Sequence, residues 1–311
     1  MTIALKIVPE PSRSHGRQAV TRAYNEAGDR YQAYADGSLE RLYAFDGQYS
    51  FGDEKTWSVI EDRLHRLRLS GARSLRILDL GCGPGTWMLR TVSRAHQIGF
   101  TDITTRGIDL SDLQVQRARS LWGPLSGRAD IHLTFQVGDI RDRLPEENNS
   151  VDLCLCLYGV LNHLATDELR PLIREVARVT SGAFIATVRT VGSTPTIYVE
   201  SLSAARSFYQ NNMMDRLDVQ FHSGKCTSFN SHLFSRAEIS SLMKGHMKIE
   251  DLRGLDLFHG RFSRDPRWNP ARAIATDRFM SELDALEARY DRDPEFMDHA
   301  THLLLVATPA A

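Results

Sequence analysis

The run Asp79-Leu80-Gly81-Cys82-Gly83-Pro84-Gly85 holds one carboxylate and three glycines between an apolar stretch, Leu75–Leu80, and a helical pattern of Met88, Leu89 and Val92. Glycines there let the backbone approach a ligand closely and take positive φ. A dinucleotide loop reads G-x-G-x-x-G/A and leaves room for a pyrophosphate at the helix N-terminus. This loop reads G-x-G-x-G, with Thr86 in the sixth place. A carboxylate at Asp79 repels a pyrophosphate and suits an ammonium. The loop therefore favours a cationic cofactor without phosphate, and S-adenosylmethionine (SAM) meets that description.

Two further acids follow at the ends of apolar runs. Asp109, 24 residues after Gly85, closes Thr105–Leu110. An acid there hydrogen-bonds ribose hydroxyls, or serves as a helix N-terminal acid beside Ser111. Asp139, in Val137-Gly138-Asp139-Ile140, accepts from an adenine amino group with Ile140 on the ring, or is a plain loop acid. Next comes Tyr158-Gly159-Val160-Leu161-Asn162-His163-Leu164. Histidine titrates near neutral pH, so His163 is the acid/base candidate, with helix capping as its other reading. Asn162 is a candidate amide partner for substrate.

The elements that must position these residues alternate strand and helix. Strands are expected at Leu75–Leu80, Thr105–Leu110, Ile131–Val137, Val151–Tyr158 and Phe184–Val188. Strands separated by helices mean crossovers and a parallel sheet. Ser111 is a candidate N-cap, and Leu169, Leu172, Ile173, Val176 and Val179 line one helix face. Pro171 is tolerable in that helix only within its first turn. A helical stretch is expected over Tyr198–Tyr209. Leu217, Val219 and Phe221 then alternate up to Ser223-Gly224 and Cys226–Phe229, a hairpin pattern. Ser235-Arg236-Ala237-Glu238 reads as a capping box. Met247–Leu252 and His302–Ala307 are late strands. A helix between them turns Phe279, Leu283 and Leu286 inward. Four parts result: a helical cap at 1–65, an α/β core at 66–190, an inserted lid at 191–246 and a C-terminal completion of the sheet at 247–311.

Composition narrows the class. The chain has 311 residues, 42% hydrophobic and 25% charged, as in a globular protein. With 38 basic and 39 acidic side chains the net charge is −1, so no global field draws a nucleic-acid backbone. No uncharged apolar run is long enough to span a membrane, and the N-terminus does not read as a signal peptide. Cys82, Cys154, Cys156 and Cys226 form no C-x-x-C pair. A cytoplasmic protein with reduced thiols and no metal site is expected.

The motif set D-L-G-C-G-P-G, G-I-D-L-S, V-G-D-I and V-D-L-C-L-C-L-Y-G-V-L-N-H-L, over Leu75–Val188, resembles the class I SAM-dependent methyltransferases. The resemblance implies a seven-stranded Rossmann-like α/β sheet whose last two strands form a reversed hairpin, with SAM across the carboxyl ends of strands 1, 2 and 4. It implies cofactor contacts from Tyr24, Tyr31, Asp79, Gly81, Gly83, Asp109, Leu110, Asp139, Ile140 and Leu157. It places His163, Asn162 and Tyr198 near the reacting atoms. Tyr24 and Tyr31, seven apart, share a helix face, and a ring beside a sulfonium is a favourable cation–π arrangement. Methyl transfer to a small-molecule acceptor in biosynthesis is the leading expectation, with an oligomer left open. Three alternatives share the motifs: cyclisation of SAM to an azetidine amino acid and methylthioadenosine, methylation of a tRNA wobble uridine, and SAM binding without catalysis.

Overall fold

The structure, a computed structural model, describes residues 18–22, 24–25, 42–45, 50–122, 127–193, 205–259 and 276–310. Helix α1 (Ser50–Leu69) leads into β1 (Ser74–Leu80), α2 (Thr86–Gln97), β2 (Asp102–Asp109), α3 (Asp112–Leu121), β3 (Ile131–Val137) and β4 (Val151–Cys156). A single 3-10 turn (Val160–His163), α4 (Thr166–Val179) and β5 (Thr180–Arg189) follow. Then come β6 (Ala205–Asn211), β7 (Arg216–Phe221), β8 (Cys226–Asn230), α5 (Arg236–Met243), β9 (Met247–Leu255), α6 (Thr276–Tyr290), α7 (Pro294–Met297) and β10 (His302–Pro309).

Seven strands form one sheet in the order β3-β2-β1-β4-β5-β10-β9. The first five are mutually parallel, and β10 runs antiparallel to both β5 and β9. That is the seven-stranded sheet with a reversed terminal pair that the motifs imply. The two-residue side-chain period of each strand divides the core into two layers. Ile77, Ile103, Leu153, Leu155, Ile185 and Leu304 pack under α1 and α2. Leu78, Leu80, Ile108, Cys154, Cys156, Phe184 and Leu303 pack under α4 and α5. Strands buried on both faces need near-continuous apolar runs, and β4 has one. The order changes direction at β1, between β2 and β4. The carboxyl ends there form the crevice where open α/β sheets bind ligands.

Four local expectations change. Residues 205–211 are strand β6, not the end of a helix. Its neighbour β7 buries Leu217, Val219 and Phe221, and pairing with that strand outweighs the local helical pattern. The β7–β8 hairpin forms as expected, turning at Ser223-Gly224. Pro171 lies past the first turn of α4, on its exposed face, where water can satisfy the carbonyl that its missing N–H leaves. In α6, Leu283 is buried but Leu286 is 39% exposed. Glu287 takes the inward place and accepts from the backbone N–H groups of Phe258 and His259. At α5, Ser235 Oγ accepts from Glu238 N at 3.2 Å, but the Glu238 carboxylate turns to His232 instead of closing the capping box.

Candidate active site

The glycine loop leaves β1 at the centre of the sheet. Gly81, Gly83 and Gly85 all have positive φ, at 72°, 52° and 81°. A Cβ on Gly81 would overlap the Val160 methyl groups, so the chain after β4 can approach the loop only because Gly81 has no side chain. A Cβ on Gly85 would come within 2.9 Å of Phe135.

Asp79 lies at the foot of this loop, 3% exposed. Among the described residues no group donates a hydrogen bond to its carboxylate. Burial, reinforced by the negative charge of Asp109, pushes its pKa up to about 7. A buried acid without a partner is costly when ionised, and a cation set against it removes the cost. Asp109 differs in being held. Its Oδ2 accepts from Gly83 N at 2.8 Å and its Oδ1 from Ser111 N at 2.8 Å. Burial raises its pKa, and those two N–H groups oppose the rise. Ser111 also caps α3, accepting from Gln114 N. Leu110 lies half-buried beside it.

Asp139 follows β3. Arg141 grips it bidentately, Nε to Oδ1 and Nη2 to Oδ2, each at 2.7 Å, and reaches Glu168 with Nη1. Ile140 is buried beneath, and Leu157 is buried at the end of β4.

The segment after β4 carries His163. Its Nδ1 lies 3.0 Å from the carbonyl oxygen of Asn230 at the end of β8, and its Nε2 lies 2.8 Å from the hydroxyl of Tyr24. A carbonyl only accepts, so Nδ1 carries the proton and Nε2 the lone pair. The Tyr24 hydroxyl therefore donates to Nε2. Burial holds the His163 pKa below the ordinary imidazole value, against the favourable Asn230 carbonyl.

Described residues of the N-terminal cap and of the inserted lid meet here. Val20 packs with Leu217, Val219, Phe221 and Phe229 of the three-stranded sheet, and Tyr24 packs against that cluster. Asn25 accepts from the Ser111 hydroxyl at the end of β2. Tyr24 and Asn25 thus touch the segments that follow β4 and β2 respectively. Tyr31 and Tyr198 lie outside the described residues.

Asn162 does not face the crevice as a substrate partner. Its Nδ2 donates to the backbone carbonyls of Arg189 and His232, and its Oδ1 accepts from Arg189 N at 2.9 Å. Both amide hydrogens and the oxygen are engaged with backbone, so Asn162 joins the ends of β4 and β5 to the base of the β6–β8 sheet.

Two further groups have partners that the sequence alone does not show. His232 sits between Asp215 (2.8 Å) and Glu238 (2.7 Å). Asp53 on α1 accepts from the Tyr158 hydroxyl, beside Trp87 and Arg90 on α2. Burial lifts the Asp53 pKa to about 6. Tyr158 has φ 60°, a conformation that non-glycine residues rarely adopt and that often marks a functional segment.

The chain is similar to known proteins. A family model described as a methyltransferase domain matches residues 77–182. The O-methyltransferase cnsE of Penicillium expansum is 34% identical over 163 residues, covering 51% of this chain and 53% of that protein. The chain thus spans about half the length of the curated relatives it matches. Among solved structures, the [4+2]-cyclase SpnF superposes with a TM-score of 0.52 at 17% identity, over 98% of this chain and 99% of that one. A geranyl diphosphate C-methyltransferase of Streptomyces coelicolor A3(2), solved with S-adenosyl-L-homocysteine, superposes at 0.50 with 14% identity, over 97% and 100%. At such identities these two likenesses speak for the fold. The domain match and the sheet that carries it agree with the glycine loop and its buried acid: residues 77–182 are similar to a methyltransferase domain, on a fold shared with SAM-dependent methyltransferase structures.

Proposed function

We propose that this chain transfers the methyl group of SAM to an oxygen of a small-molecule acceptor, with His163 as the base. The observation that carries the reading is the hydrogen-bonded chain Tyr24–His163–Asn230 at the end of β4. When bound, SAM supplies a methyl carbon made electrophilic by its sulfonium. Asp79 suits its ammonium, Asp109 the ribose hydroxyls, Asp139 and Ile140 the adenine, and Gly81 and Gly83 the close approach of the backbone. Leu110 and Leu157 supply apolar walls to the same crevice.

His163 is neutral at neutral pH, with its Nε2 lone pair already accepting from a phenol. A hydroxyl of the acceptor in the place of the Tyr24 hydroxyl makes the same hydrogen bond. Nε2 then takes that proton as the acceptor oxygen is alkylated, and the Asn230 carbonyl stabilises the resulting imidazolium through Nδ1–H. Orientation and exclusion of water do the rest. In this reading the cap at 1–65 and the lid at 191–246 close over the core at 66–190, which 247–311 completes. The O-methyltransferase names of the curated relatives support oxygen as the target and biosynthesis as the setting.

Incubation with SAM and a panel of phenolic acceptors, followed by mass spectrometry, tests this. S-adenosylhomocysteine (SAH) is expected only when an acceptor is present. Methylthioadenosine formed from SAM alone would show attack on another SAM carbon and overturn it.

A further inference from the structure

Arg90 is 7% exposed. Its guanidinium lies over the rings of Phe45 (5.1 Å) and Trp87 (4.9 Å), and its Nε donates to the Leu42 carbonyl. Among the described residues the rest of its fork has no hydrogen-bond partner, and no carboxylate comes within ion-pair distance of it. Buried arginines are normally paired, because a desolvated charge without a counter-ion is costly. Burial accordingly depresses the Arg90 pKa, while Tyr158, Asp53 and Tyr43 act on it only through space. Asp53 accepts from the Tyr158 hydroxyl through Oδ1. Among the described residues a buried cation and a half-buried acid therefore lie near each other without pairing.

A guanidinium with a free fork matches a planar carboxylate, which it can bind with two parallel hydrogen bonds. The surrounding rings suit a flat apolar body. Leu42, Tyr43 and Phe45 come from the N-terminal flank and Asp53 from α1, not from the loops that suit the cofactor. Tyr158 and Trp87 connect the pocket to the end of β4 and the first turn of α2, next to the glycine loop.

We propose that Arg90, walled by Phe45, Trp87 and Tyr158, binds the carboxylate of an aromatic acid acceptor and so selects anionic over neutral acceptors. This rests on the methyl-transfer reading. The test measures binding rather than turnover, so failure of either is distinguishable. The intact chain, saturated with SAH, is titrated calorimetrically with benzoate and with benzamide as probes. Benzoate is expected to bind at least 10-fold more tightly than benzamide. Arg90→Met is expected to abolish that preference while leaving the affinities for SAH and for methylthioadenosine within 2-fold.

Benzoate binding no better than benzamide in the unaltered protein would overturn the proposal. So would an Arg90→Met variant that weakens SAH 10-fold but leaves methylthioadenosine unchanged. Methylthioadenosine lacks the amino-acid tail, so that pattern puts the cofactor's own carboxylate at Arg90. If Arg90→Met does not fold, Arg90→Lys keeps the charge and loses the fork. It is expected to bind benzoate 3- to 10-fold more weakly, and benzoate binding equal to that of the unaltered protein would refute the bidentate contact.

Discussion

The Tyr24 hydroxyl lies 2.8 Å from Nε2 of His163, across 139 residues of chain, with the two rings edge to face. This contact joins the N-terminal flank to the end of β4. Because the Asn230 carbonyl fixes the proton on Nδ1, Tyr24 holds the one lone pair that the imidazole offers. In the proposed reaction an acceptor hydroxyl must compete for it.

Tyr24→Phe is therefore expected to lower the acceptor KM and to leave kcat within about 3-fold, since the base remains. Steady-state kinetics check this. A kcat loss of 100-fold with KM unchanged would place the Tyr24 hydroxyl in the proton path.

The depressed His163 pKa sets a pH dependence. With the neutral ring as the proposed base, activity is expected to be retained below the ordinary imidazole range and lost only when Nε2 is protonated. The acid limb of kcat/KM is expected below about pH 6.5. A limb at or above that value, assigned by its disappearance in His163→Gln, would contradict the geometry.

With Asp79 facing the cofactor's ammonium as proposed, cofactor binding is expected to depend on pH in the other direction. Its pKa is raised to about 7, and a cation binds the ionised form. SAM affinity is expected to rise with pH through about 7 and to become flat in Asp79→Asn. The sign for stability is opposite. A raised acid contributes its stability fully below about pH 4 and loses it as pH rises through its folded value. Asp79→Asn is accordingly expected to melt at a higher temperature than the unaltered protein at pH 8, with weaker SAM binding. A lower melting temperature at that pH would contradict the buried-charge account.

Asp109→Ala is expected to weaken SAM by about 1.5–3 kcal/mol, the range for a hydrogen bond to a charged group. Calorimetry on the folded variant measures it. Unchanged affinity would remove Asp109 from the ribose.

The candidate site is legible where chemistry repeats at short range. The loop Asp79–Gly85 and the acids ending β2 and β3 declare themselves because strand, turn and carboxylate are contiguous. His163 was visible, but its tautomer was not, since Asn230 lies 67 residues away. Asn162 was read as a substrate amide because its backbone partners at Arg189 and His232 are equally remote. Asp53 and Arg90 look in sequence like ordinary charges in charged helices, and it takes the packing of α1 on α2, with Leu42 and Phe45 against Arg90, to cover them. Strand β6 is not legible locally, because its partner β7, not its own residues, decides its conformation.

The central claim is transfer of a methyl group to oxygen with His163 as the base. The most direct measurement uses SAM labelled with deuterium in its methyl group, a phenolic acceptor, and the unaltered and His163→Gln proteins side by side. The account predicts a labelled oxygen-linked methyl in the product, SAH in equal amount, and a rate at least 100-fold lower in His163→Gln with SAH affinity unchanged. A His163→Gln variant that transfers the label at the unaltered rate, or label found only in methylthioadenosine, would contradict it.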